Sequence, residues 1–167
     1  MPEIRRLQAG DTISYQGPFD LGGLRSVIDD WFDRHDYDRD KVMDQEVVKQ
    51  DGKNCMLVFE AERGMNDYVD INIDLTLNIA NMRDITVEVD GVKRNVKDGE
   101  VTITIDSLLQ TDTSGQYDSN PLLYFLRFVG EKWFYKSYID EWSTLADEHR
   151  NALKREINEY LNKTITV

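Results

Sequence analysis

The residues whose types and spacing come nearest to chemistry in this chain are acidic. Asp36-x-Asp38-x-Asp40, with Asp44 following, opens like a calcium loop. Calcium needs a ring of oxygen ligands, and the EF-hand completes that ring with glycine at position 6 and a bidentate glutamate at position 12. Those places hold Lys41 and Val47 here, so the pattern fails where it is most diagnostic. Asp70-x-Asn72-x-Asp74 repeats the spacing inside a stretch that alternates as a strand, and its polar residues read as the wet face of a sheet. With 32 acidic residues in the chain, two carboxylates at the separation of a glycosidase pair arise by chance and decide nothing.

His35 and His149 are the only histidines. A catalytic zinc usually takes three protein ligands, mostly histidine, and no H-E-x-x-H pattern brings these two together. Each reads as an ordinary surface histidine. Cys55 is the only cysteine, which excludes an internal disulfide and a multi-cysteine zinc site. It falls on the same side of a strand as Leu57 and Phe59 and reads as a buried, inert thiol. No G-x-S-x-G elbow, G-x-x-x-x-G-K-[ST] loop or G-x-G-x-x-G turn occurs. Gly17, Gly22 and Gly23 flank a strand–helix junction where helix N–H groups meet anions in other proteins. With no lysine beside them they read as a tight turn and a place of close packing. No catalytic, cofactor-binding or metal-ligating residue is assigned, and the chain is expected not to be an enzyme.

The strongest positive signal is aromatic. Eight of the seventeen aromatic residues fall between Leu122 and Trp142. On a helical wheel they make two faces. Leu122, Phe125, Leu126, Val129 and Trp133 gather on one side, and Tyr124, Phe128, Tyr135, Tyr138, Ile139 and Trp142 on the other. A helix that only covers a sheet needs one apolar face. The second face is of the Tyr/Trp kind favoured at partly wet contacts. Tyr124, Phe128, Tyr135, Tyr138 and Trp142 are therefore the candidate interface residues, facing another part of the chain, another subunit or a ligand.

The elements that would position these groups follow from periodicity. Residues 11–16 read as a strand ended by Gly17-Pro18. Asp20 reads as the N-cap of a helix whose Leu21, Leu24, Val27, Ile28, Trp31 and Phe32 share a face. Strands are expected at 42–50 and 54–63 about Asp51-Gly52, at 68–79, at 84–89 and 92–96 about Asp90-Gly91, and at 100–106 after a turn at Lys97-Asp98-Gly99. Val69, Ile71, Ile73, Leu75, Leu77 and Ile79 alternate without fault. The twelve residues 68–79 make roughly 40 Å of strand, long for a domain of this size. Residues 110–119 read as a polar loop, and Asn120-Pro121 as the start of the aromatic helix. Helical periodicity then continues to Leu161 with a break expected between Ser137 and Thr144. Thr164-Ile165-Thr166-Val167 reads as a strand able to join a sheet edge.

Together these make one α+β domain spanning residues 1–167, a twisted antiparallel sheet of about six strands packed against an N-terminal helix and a long C-terminal helical segment. The element order resembles the START-like helix-grip arrangement, although the short helix pair usual after its first strand is one helix here. That resemblance implies a curved sheet wrapped round the C-terminal helix, with a lipid-sized cavity between them. The formal charge of −12, with no clustered basic face, excludes nucleic acid as a partner. No run approaches 18 apolar residues, so no membrane span is expected. The start Met1-Pro2-Glu3-Ile4-Arg5-Arg6 lacks the apolar core of a signal peptide, and a soluble cytoplasmic protein is expected. The function expected is that of a structural or protein-interaction subunit, associating with itself or another protein through the aromatic helix and strand edges. The alternative is a helix-grip module binding a small apolar ligand. No cofactor is expected.

Overall fold

The computed structural model describes residues 3–50, 52–66, 69–111 and 136–163. Along them the chain forms β1 (Glu3–Phe19), α1 (Leu21–Arg34), β2 (Asp38–Lys49), β3 (Gly52–Gly64), β4 (Val69–Val89), β5 (Val92–Thr111) and α2 (Lys136–Lys163). The strands pair antiparallel in the order β1-β5-β4-β3-β2. Strands β2 to β5 are successive neighbours, while β1 lies outside β5. The segment carrying α1 therefore takes the chain from one edge of the sheet to the other. This is the expected α+β arrangement of an antiparallel sheet with two helical elements.

The alternation in β4 sets the core. Val69, Ile71, Ile73, Leu75, Leu77 and Ile79 are all buried. Register puts Leu75, Leu77 and Ile79 opposite Ile105, Ile103 and Val101 on one side, and opposite Phe59, Leu57 and Cys55 on the other. The helices close this face. Helix α2 packs on β5, β1 and β4, and α1 packs on α2 and β2. Leu24, Ile28, Trp31 and Phe32 from α1 join Ala146, Leu153, Ile157 and Leu161 from α2 in one continuous core. Each large side chain buried this way stabilises the fold by about 1.5–3 kcal/mol. Cys55 is buried with Leu57 and Phe59, as its strand position implied, and burial raises its thiol pKa.

Helix α1 begins and ends for local reasons. Asp20 caps it by accepting the Gly22 N–H at 3.0 Å, and Phe19 and Leu24 are fully buried on either side of the cap. Its end is a Schellman turn: the Tyr37 N–H donates to Phe32 O and the Asp36 N–H to Asp33 O. Asp36 sits at the left-handed position with φ 57°, where glycine is usual. The three aspartates of the calcium-like pattern are thereby divided. Asp36 ends a helix, and Asp38 and Asp40 lie in β2.

Several boundaries differ from those expected. Strand β1 is longer than 11–16 and passes through Gly17 and Pro18. Residues 68–79 and 84–89 belong to one strand, and 92–96 and 100–106 to another. The expected turn at Lys97-Asp98-Gly99 is a β-bulge: the register shifts between Ala80 and Arg83, which pair with Glu100 and Asp98. Gly99 is needed there, since a Cβ would stand 2.9 Å from Ala80 O and 3.2 Å from Met82 Cα. Beyond the bulge the β4–β5 hairpin continues to Asp90-Gly91, whose φ values of 53° and 76° suit a type I′ turn. Helix α2 runs unbroken from Lys136 to Lys163, so the break expected between Ser137 and Thr144 is absent. Thr144 stays helical while its hydroxyl bonds back to Asp140 O at 2.8 Å. Gln110 and Thr111, expected to open a polar loop over 110–119, instead end β5. The rest of that loop, the helix start expected at Asn120-Pro121 and the strand expected at 164–167 lie outside the described residues.

Candidate functional site

Tyr124, Phe128 and Tyr135 lie outside the described residues, and Tyr138 is in α2 but its side chain is not described. Trp142 is described. It is half-buried and packs against the core formed by α1, α2 and the sheet.

The two histidines, 114 residues apart in sequence (149 − 35), meet where the end of α1 crosses α2. His35 stacks on Trp31, with ring centroids 4.0 Å apart and planes 17° from parallel. His149 stands edge-on to both, 5.9 Å from Trp31 and 5.3 Å from His35. The His35 Nδ1–H donates to Trp31 O at 2.7 Å, because a carbonyl only accepts. Tyr37 Oη lies 2.9 Å from His149 Nδ1 and is buried. Burial pushes the Tyr37 hydroxyl pKa well above its usual value. Burial, with His35 and Arg63 nearby, lowers His149 from 6.5 to about 4. At neutral pH Tyr37 therefore donates to an uncharged imidazole. The expectation of two ordinary surface histidines is corrected for this pair. Helix α2 buries Ala146 and Leu153, and its turn carries His149 against α1. The arrangement ties α1 to α2. It holds a weak base and a retained phenol proton.

The sheet's other face carries a second arrangement. Asp40, Glu60, Asp74 and Asp106 are direct cross-strand neighbours on β2, β3, β4 and β5. Like charges set directly opposite one another repel. Burial, then Glu60 and Asp106, raise the Asp74 pKa, against an opposing effect of Arg6. One end of the row is relieved by the Gly10 N–H, which donates to Asp106 Oδ1 at 2.6 Å. Asp70 is buried, so the polar side of β4 is drier at this end than simple alternation implied. A row with one carboxylate per strand does not converge on a point. Among the described residues no three histidine, cysteine, aspartate or glutamate side chains group so as to hold a metal ion.

The third feature is the open edge at β2. Among the described residues this strand pairs with β3 on one side and is last in the sheet. From Val42 to Lys49 every residue is exposed, and Val42 (53%), Met43 (42%), Val47 (44%) and Val48 (72%) leave large apolar surfaces in water. Among the described residues this twelve-residue strand is a sheet edge of the kind to which another strand adds.

The chain matches no protein-family model and no curated protein.

Sequence reading found neither the histidine pair nor the β2 edge. Both depend on which distant elements become neighbours, and spacing along the chain does not carry that. The one local signal was composition. Val42, Met43, Val47 and Val48 do not alternate cleanly, unlike β4, and that irregularity marks a strand without a buried face of its own. Among the described residues no helix is long and apolar enough to cross a membrane.

Proposed function

We propose that this chain is a non-enzymatic interaction subunit that associates through the open edge of β2. The observation that carries the reading is the run of exposed apolar residues on an edge strand, because monomeric proteins ordinarily blunt or cover such an edge. Tyr124, Phe128, Tyr135, Tyr138 and Trp142 form a second contact in this reading, with Trp142 at its inner margin. Light scattering of the purified chain at micromolar concentration tests it. The expected result is a defined oligomer. Val42→Asp is expected to weaken it by about tenfold or more, since a charge replaces apolar area at the contact. Val42 is exposed in the single chain, so the substitution leaves the fold intact. A monomer throughout, or an oligomer indifferent to Val42→Asp, defeats the β2 reading.

A second reading is favoured by one observation, that α2 lies along β5, β1 and β4 as the C-terminal helix of a helix-grip module does. It makes the chain a carrier of a small apolar ligand. Saturable displacement of a fluorescent fatty acid from the monomer would support that reading, and its absence would count against it.

A further inference from the structure

We infer that the partner at the β2 edge is a second copy of this chain, paired antiparallel about a two-fold axis between Val42 and Met43, so that two five-stranded sheets join into one. The inference rests on the proposed role of the β2 edge and adds the occupant, the direction and the register.

The argument is one of charge and face. Edge strands carry charges that normally discourage extra strands. On β2 the signs are mixed: Asp38, Arg39, Asp40 and Lys41 precede Val42-Met43, and Asp44 and Glu46 follow. With the axis between Val42 and Met43, Arg39 of one copy stands opposite Glu46 of the other and Lys41 opposite Asp44. The axis repeats each pair, and Val42 meets Met43. No like charges oppose. Moving the axis onto Met43 puts Asp40 opposite Glu46. Moving it onto Val42 puts Asp40 opposite Asp44 and Asp38 opposite Glu46. Moving it onto Asp44 puts that residue opposite itself and Arg39 opposite Lys49. Like charges directly opposite destabilise a strand pair. Moving the axis between Met43 and Asp44, or between Lys41 and Val42, also opposes no like charges, but sets Met43 against Asp44 in the first case and against Asp40 in the second. Charge and apolar matching together therefore select the register in which Val42 meets Met43.

The β-bulge gives independent support. The register with β3 shifts between Lys41 and Met43, so Val42 is the extra residue. Before it, Arg39 is opposite buried Ala61; after it, Glu46 is opposite buried Cys55. Arg39 and Glu46 thus lie on the helix side of the sheet, and Asp40 and Gln45 on the other, paired with Glu60 and Met56. A strand without the bulge would place Arg39 and Glu46 on opposite faces. With it, the two halves of β2 become face-compatible for axes that fall between residues, this one included. Arg39 already bridges Asp29 and Asp33 of α1, and Glu46 bridges Lys53 of β3, so both arrive at the contact held in place.

The test is a mixed-cysteine experiment on the full chain. Asp40→Cys and Gln45→Cys are prepared separately, oxidised alone, and oxidised as a mixture. Native Cys55 is buried, and the parent chain is the control. Residues directly opposite have Cβ atoms about 4.5–5.5 Å apart, near enough for a disulfide. The expected result is a cross-linked dimer in the mixture at least tenfold above either variant alone. Cross-linking of each variant with itself would mean parallel pairing or another register and would overturn the inference. So would an oligomer, sensitive to Val42→Asp, that yields no mixed disulfide, and that result leaves the β2 edge reading standing. A monomer in light scattering with no mixed disulfide removes both.

Discussion

His149 is the residue whose chemistry departs furthest from what its position in the sequence suggested. Its pKa falls from 6.5 to about 4 on folding, so between those values the unfolded chain binds a proton that the native chain refuses. The stabilisation is whole above pH 6.5 and is lost as pH falls through 4. Its size is about 2 kcal/mol between pH 7 and pH 4.5 after allowing for partial exposure. His149→Gln, which keeps an acceptor for the Tyr37 hydroxyl, is expected to remove most of that fall. Urea unfolding at pH 7, 5.5 and 4.5 measures it, and parallel slopes for parent and variant would refute the assignment. Asp74 acts in the opposite sense, because its raised pKa favours the native state as pH falls, and it is untouched by the substitution. Nothing in the spacing of His35 and His149 announced their meeting. Cys55 was legible because its burial follows from the alternation of its own strand.

At the scale of elements, the close approach of α1 to α2 turns on one of two adjacent glycines. Sequence alone suggested that Gly22 and Gly23 permit close packing on the sheet; the structure gives the role to Gly23 alone, and its partner is Tyr160 of α2 instead of the sheet. A Cβ on Gly23 would lie 1.9 Å from the Tyr160 hydroxyl oxygen and 2.9 Å from its Cζ, whereas one on Gly22 meets only Asp20 Oδ1 at 3.5 Å. The two alanine substitutions should therefore differ in sign. Gly22→Ala is expected to stabilise by a few tenths to about 1 kcal/mol through helix propensity. Gly23→Ala forces Tyr160 off α1 and is expected to cost about 1–3 kcal/mol. Denaturant midpoints decide it, and equal shifts in one direction would mean that the helices are not held this closely. The strands were legible where period-two alternation is pure, as in Val69 to Ile79. They were cut short where a bulge interrupts it, because Lys97-Asp98-Gly99 has the composition of a turn and only the pairing partner reveals that the strand continues.

At the scale of the whole molecule, charge opposes the association that β2 invites. Two copies at −12 each repel, while the opposed pairs lie at the sheet edge and are worth no more than about 1 kcal/mol apiece. Screening reaches about 10 Å at 0.1 M salt. The oligomer fraction is therefore expected to rise between 20 mM and 500 mM sodium chloride in light scattering, and a fall would show that bulk repulsion is not the controlling force. The α+β class and the direction of pairing were legible in the order of elements. The position of β1 was not, since the chain between it and β5 says nothing of which edge it returns to. That position has a consequence in time. Ile13 of β1 waits for Ile103, about 90 positions later, and no strand between them offers β1 a partner. At translation rates of about 5–20 residues per second, β1 stands unpaired for roughly 5–20 s while the β2–β5 meander can already form. Strand β1 is made before its partner and seated after it, and through that interval the growing chain shows the cell an open edge at β5 that β1 covers in the finished fold.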